Sequence, residues 1–293
     1  MKVVKFMGGL GNQLFQYVFL RKLEIEYNLE VKADFSYFEE FNDIVRQPRI
    51  LKFNVKLDFV SSDDLASLLH LNLKKEKKYI RYKLMRLIDI MQRKGYYFHH
   101  STEYIDPSRI LSYSYYEGYW QSYKYLAGIE DTITREVTLK NQLGAAARRW
   151  INFLSSENSI FIGIRLGDYL NGENKAEYGI LGLEYYTRAI DVISTSILNP
   201  TFVVFSDDIE LVKETFKELS NRKNVMFFDS TDVSDEEELI IRASCKHAII
   251  SNSTYNWWGA WLIPGNDKMV IAPKQWYTDG RKSDIVPPDW ITI

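Results

Sequence analysis

The stretch that decides the fold is Val3-Val4-Lys5-Phe6-Met7-Gly8-Gly9-Leu10-Gly11-Asn12-Gln13, followed by an apolar-periodic run to Tyr27. A short apolar strand, a glycine turn and a helix over 12–27 make the opening of an α/β unit. Glycines let the backbone approach a ligand closely, and the N–H groups at the start of the next helix attract phosphate. Two dinucleotide readings fail. A Rossmann fingerprint needs glycine where Leu14 stands, and the Lys-Ser/Thr of a P-loop does not follow. On glycines alone a plain structural turn is the simpler account. Asn12 and Gln13 shift the balance, because two amides beside such a turn can donate to phosphate or sugar oxygens.

Working outward, a second helical pattern runs over 73–94, with Ile80, Leu84, Leu87, Ile88 and Met91 in one stripe. Its other faces carry Lys74, Lys75, Lys77, Lys78, Arg81, Lys83, Arg86, Arg93 and Lys94 against Glu76 and Asp89, a net charge of +7. A solvated helix face is the first account of such a run. The second is contact with anionic head groups, or steering of a pyrophosphate-linked acceptor. From about residue 141 strands and helices alternate regularly. Strands are expected over 160–165, 201–205, 225–228, 248–251 and 269–272, with helices over 145–154, 185–194, 209–219, 235–244 and 257–262. That alternation indicates a parallel sheet covered on both faces.

The length of 293 residues corresponds to about two domains of ordinary size. The change in regularity places them at 1–140 and 141–293. A composition of 46% hydrophobic and 26% charged residues excludes disorder and collagen. With 37 basic and 39 acidic side chains the net charge is −2, so no global cationic field holds nucleic acid, and anion binding must be local. A single cysteine, Cys245, forms no internal disulfide. His70, His99, His100 and His247 are too few and too scattered for a typical zinc site. The apolar stretch at the start falls far short of a signal peptide's core, and no run reaches the roughly 20 apolar residues of a membrane span. A cytoplasmic protein is expected, with any membrane contact peripheral at the inner face. The 20 Tyr, 16 Phe and 7 Trp fill cores first, and they also suit sugar rings.

In a doubly wound sheet, ligands bind beyond the carboxyl ends of the strands, so the polar residues that follow each strand matter. Arg165, after the most apolar strand of the second half, offers a fork of donors suited to phosphate, and Asp168 can orient it. An Arg–Asp pair that merely ties a loop to its sheet explains the same residues equally well. In Phe205-Ser206-Asp207-Asp208 the acids are adjacent, and nowhere in the chain are two aspartates spaced as Asp-x-Asp, so no metal is implied. More economically, Ser206 or Asp207 caps the next helix, and Asp207 can still meet a ribose or base. The run Ser251-Asn252-Ser253-Thr254 precedes a short helix with Trp257, Trp258 and Trp261. Hydroxyls and amides at a helix start bind phosphate. The tryptophans are more simply core. Asn252-Ser253-Thr254 is also a glycosylation sequon, in a turn expected to be buried.

Taken together, these pieces resemble the inverting fucosyltransferases of glycosyltransferase family 11, the α-1,2-fucosyltransferase family. The resemblance rests on 8–17 (GGLGNQLFQY), Gly118-Tyr119-Trp120-Gln121-Ser122, 164–169, 205–210 (FSDDIE), 251–262 and Ile271-Ala272-Pro273, in that family's order and spacing. It implies a GT-B architecture of two Rossmann-like domains with parallel sheets facing a cleft. The first would bind the acceptor and the second the nucleotide sugar. The implied enzyme moves L-fucose from GDP-fucose to a glycan hydroxyl, in α-1,2 linkage to a galactoside, with inversion and with no metal or other cofactor. Bacterial glycan assembly often uses lipid-linked acceptors.

By that resemblance Arg165 holds the diphosphate, Ser253 and Thr254 hydrogen-bond the phosphates with Asn252 beside them, and Glu238 faces the guanine. The turn at Gly9, Gly11, Asn12 and Gln13 closes over the donor. Glu173 matches by spacing the base proposed for α-1,6-fucosyltransferases, with Asp168 and Glu177 as rivals. There are two departures from the family's His-x-Arg-Arg-Gly-Asp-Tyr motif. Leu166 replaces its second arginine, as in related protein O-fucosyltransferases. Gly163 replaces its histidine, which leaves room for a different GDP-deoxyhexose as donor. A catalytically silent glycan-binding relative is the alternative from another class.

Overall fold

The apolar run that opens the chain forms β1 (Lys2–Lys5), the middle strand of a parallel sheet in the order β3-β2-β1-β5-β4. Its partners are β2 (Val31–Asp34), β3 (Asp58–Phe59), β4 (Tyr96–His99) and β5 (Tyr115–Gly118), every pair parallel. This sheet belongs to the first of two units, Met1–Thr138 and Leu139–Ile293. The structure is a computed structural model that describes residues 1–40, 47–68, 95–166, 176–222 and 224–293. The basic helix expected over 73–94 lies wholly outside the described residues.

In the first unit the helix Leu10–Tyr27 buries Leu14, Phe15, Tyr17, Val18 and Phe19. It begins two residues earlier than its pattern suggested. It ends at Asn28, whose left-handed φ of 51° lets its N–H reach the Leu23 carbonyl and close the last turn. Two polar side chains fasten this helix to the end of the unit. Tyr17 donates to Glu136 at 2.6 Å, and Arg21 forks onto the same carboxylate at 3.1 Å.

In the second unit the sheet runs β11-β10-β9-β6-β7-β8. Its centre is β6 (Ser159–Ile164), flanked by β7 (Thr201–Ser206) and β8 (Val225–Phe227) on one side. On the other side lie β9 (His247–Ile250), β10 (Val270–Ala272) and β11 (Ile291–Thr292). Again every pair is parallel. One face of β6 and β7 (Ile160, Ile162, Phe202, Val204) packs with Tyr186, Ala189, Ile190 and Ile193 of the helix Leu183–Ser194. Burial on both faces is why β6 and β7 read as continuous apolar runs. Trp257 and Trp258 are fully buried, and the Trp257 indole donates to the Ile285 carbonyl at 2.7 Å, so these two rings are core.

Two expectations need correction. The single helix over 209–219 is two, Ile209–Thr215 and Lys217–Ser220, broken where Phe216 leaves helical geometry at φ −115°, ψ 53°. In addition, the structure has β2 to β5 and β11, for which the sequence gives no strand signal, because strands of two to four residues with polar or aromatic members show too little alternation.

Candidate active site

In the second unit, adjacent strands β7, β6 and β9 end side by side, with Ile164 paired to Ser206 and Gly163 to Ile250. The residues that follow therefore share one edge: Asp207, Arg165 and the run from Ser251. Arg165 has a side chain 30% exposed, and its Nε lies 3.4 Å from Asp207 Oδ2. The other oxygen of Asp207 accepts the Leu166 N–H at 3.1 Å. Among the described residues, Asp207 is thus an acid that orients Arg165; Asp168 lies outside them. Helix capping falls to neither Ser206 nor Asp207. Asp208 is the N-cap and accepts the Leu211 N–H at 2.9 Å, because its side chain reaches the third residue on. That leaves Asp207 to serve the arginine.

At the neighbouring strand end, Ser253 has the extended backbone of an N-cap to Thr254–Trp261, yet its side chain makes no capping bond. Its hydroxyl and the helix-start N–H groups are chemically suited to an anion. Asn252 is different. It is 2% exposed and donates both amide protons inward, to the Tyr178 carbonyl at 2.6 Å and the Trp276 carbonyl at 3.0 Å. Asn252 thus ties two loops together through both amide protons, and its burial leaves the sequon inaccessible.

Gly163 has a steric reason. A Cβ there would fall 2.4–2.6 Å from the side-chain amide of Asn256, which occupies the space a residue-163 side chain would need. Asn256 is 3% exposed, donates to Ser251 Oγ at 2.8 Å and accepts from Arg242 Nη1. Arg242, also buried, lies over the Phe205 ring at 4.8 Å and the Tyr255 ring at 4.9 Å. Its Nε donates to Glu238 Oε1 at 3.0 Å. Glu238, the residue expected to face guanine, is half-buried and pinned through Oε1 by this cation. Sequence reasoning missed Asn256 and Arg242. A glycine inside an apolar strand is the signal that something approaches closely there.

In the first unit, Gly8 turns at φ +77° and Gly9 is exposed just before the helix Leu10–Tyr27, whose first turn includes Gly11. Asn12 is half-buried and accepts from Gln121 Nε2 at 2.8 Å. Gln13 is fully buried. It donates to the carbonyls of Gly8 (2.9 Å) and Gln47 (2.8 Å) and accepts the Ile50 N–H at 3.0 Å. Gln13 is thus a clamp that joins the turn to the segment after it. Nearby, Lys5 and Glu117 form a buried ion pair at 3.4 Å.

Asp168 and Glu173, two of the expected catalytic groups, lie outside the described residues. Glu177 accepts from Arg281 Nη1 at 3.1 Å in a partly exposed ion pair. No helix among the described residues is long and apolar enough to cross a membrane.

Comparison with known proteins adds a family. The model of glycosyl transferase family 11 matches residues 1–293. Alpha-1,2-colitosyltransferase of Escherichia coli is 28% identical over 99% of this chain and 98% of its own length. The O-antigen biosynthesis glycosyltransferase WbnK of Escherichia coli is 25% identical, covering 98% of each. Among solved structures, NodZ alpha-1,6-fucosyltransferase soaked with GDP-fucose aligns with a TM-score of 0.49 at 13% identity, over 93% of this chain and 94% of that one.

Proposed function

The chain belongs to glycosyl transferase family 11 and is a glycosyltransferase; from that premise we propose that it moves L-fucose from GDP-fucose to a glycan hydroxyl with inversion, forming an α-1,2 linkage to a galactoside. The observation that carries this reading is Arg165, held by Asp207 at the strand edge beside the Ser253–Thr254 helix start. As the sugar's anomeric carbon is attacked by the acceptor oxygen, the bond to GDP breaks and negative charge grows on the diphosphate. A fixed guanidinium and helix-start N–H groups absorb that charge without waiting for water to reorganise, which is the work a divalent ion does elsewhere. Glu238, steadied by Arg242, reads the guanine, and Gly9, Gly11 and Asn12 contact the donor. Glu173 is assigned the acceptor proton, with Asp168 and Glu177 as its rivals.

A second donor, GDP-colitose, is favoured by the colitosyltransferase relative. The experiment is a thermal-shift panel of GDP-fucose, GDP-colitose, GDP-mannose, GDP-rhamnose and UDP sugars, then mass spectrometry of the product with and without chelator. Stabilisation by GDP-fucose and chelator-resistant transfer are expected. A response to UDP sugars alone, or turnover lost on chelation, sinks the reading, and glycan binding with no response to GDP would make the chain a silent relative. Lipid-linked acceptors, and membrane contact through the basic stretch 73–94, belong to the same proposal. Equal flotation on anionic and neutral liposomes would remove the membrane contact.

A further inference from the structure

The segment Gly118-Tyr119-Trp120-Gln121-Ser122 plays no part in the chemistry above, yet two structural costs meet at its centre. Trp120 has φ +55°, a left-handed backbone rare for a bulky residue. Its indole N–H is also buried without a hydrogen-bond partner. What offsets these costs is stacking. The indole lies between Phe19 (3.6 Å, 1°) and His99 (4.6 Å, 5°). Gly118 permits the packing, since a Cβ there would fall 2.8 Å from His99 Cβ. Strain that the surroundings over-determine is characteristic of functional sites, so its effect on the neighbouring residues is informative.

The effect is to lift Tyr119 to the surface, 43% exposed between two buried neighbours. Its ring sits against the glycine turn. A Cβ on Gly8 would lie 3.4 Å from Tyr119 Cε1 and 2.7 Å from Asn12 Nδ2. On the same spot the Asn12 and Gln121 amides are joined at 2.8 Å. The result is an aromatic surface flanked by two amides, none of them charged, beyond the ends of β1 and β5. A pyranose ring has the complementary make-up: a C–H face that packs on an aromatic ring and a rim of hydroxyls that both donate and accept. A phosphate would find no cation among these groups.

We propose that Tyr119 is the platform for the acceptor's pyranose ring, with the joined amides of Asn12 and Gln121 as partners for its hydroxyls. This rests on the reading that the acceptor is a glycan. The test is saturation-transfer NMR of methyl glycosides (galactoside, glucoside, N-acetylgalactosaminide, fucoside and mannoside) with the wild type, Tyr119→Ala and Tyr119→Phe. The wild type should show signal concentrated on the ring-face C–H protons of at least one glycoside. Tyr119→Ala should lose that signal at least tenfold, and Tyr119→Phe should keep it, since the ring and not the hydroxyl is the platform. Absence of ring-face signal from every glycoside, or equal signal from Tyr119→Ala, overturns the proposal. GDP titration by calorimetry on the same samples keeps the two readings apart. A wild type that ignores GDP refutes the nucleotide reading and leaves Tyr119 standing. A parallel fall in GDP affinity in Tyr119→Ala would instead give the ring to guanine.

Discussion

Both units place a glycine near a strand end and fill the space beside it with an asparagine amide, Asn12 at Gly8 and Asn256 at Gly163. In the first unit that amide is half-buried and joined to the neutral Gln121. In the second it is 3% exposed and bonded to the Arg242 cation, which in turn holds Glu238. The same device therefore has two outcomes. The first unit keeps charge buried, in the Lys5–Glu117 pair, and shows amides and a tyrosine ring. The second buries its amide and the Trp257 and Trp258 rings, and leaves Arg165 partly exposed. The proposals above give the first surface to neutral recognition of a sugar and the second to neutralisation of a diphosphate.

The strongest way to break this comparison is to remove the charge. Arg165→Ala should lower transfer about 10²–10³-fold, the usual loss for one fixed donor to a developing anion, with an unchanged melting temperature. Unaltered turnover would take Arg165 out of the mechanism. Next comes Gly163→Ala, which drives a methyl into the Asn256 amide and should cost about 1–3 kcal/mol in urea unfolding. Adding Asn256→Ala should return part of that loss, a non-additivity expected of residues in contact. Strict additivity would show that the glycine is not reserved for Asn256.

The aromatic stack of the first unit can be probed by pH. Burial, and then the neighbouring His100, push the His99 imidazole down to about 4 against a usual 6.5, outweighing a backbone hydrogen bond with Glu103. The unfolded chain thus takes up that proton first. The contribution of His99 is complete above about pH 6.5, falls as pH drops through the window, and levels off below about 4. At roughly 1.4 kcal/mol per unit, a loss of order 2–3 kcal/mol is expected between pH 7 and pH 4. His99→Gln should flatten that slope in chemical denaturation, and an unchanged slope assigns it elsewhere. The smallest effect should come from Asp208→Ala. Losing the helix cap should cost about 1 kcal/mol while transfer persists, because Asp207 and not Asp208 holds Arg165. A collapse of transfer in this variant would reverse that assignment.

Much of the second unit is legible without a structure, since β6, β7 and β9 are uninterrupted apolar runs, each followed by the polar residues that matter. Arg165 and the Ser253–Thr254 pair stand where such a pattern places them. The inward pairing of Gln13 and Asn252 is not legible in the sequence, for one reason. An amide beside a glycine turn or a helix start has the right chemistry for a ligand, but whether its donors are already taken depends on carbonyls far along the chain, at Gln47, Tyr178 and Trp276. The choice between Asp207 and Asp208 was beyond a linear reading too, because adjacent acids differ only in where their side chains reach.

Local pattern alone determined the alternation of strands and helices, the strand ends that carry chemistry and the family's motifs, because hydrophobic period and turn residues act over a few positions. Tertiary packing decided which polar groups remain available, why position 163 has no side chain and how Tyr119 comes to be exposed. Each of those depends on atoms brought within a few ångströms from distant parts of the chain, where sterics and hydrogen-bond saturation, rather than residue type, set the outcome.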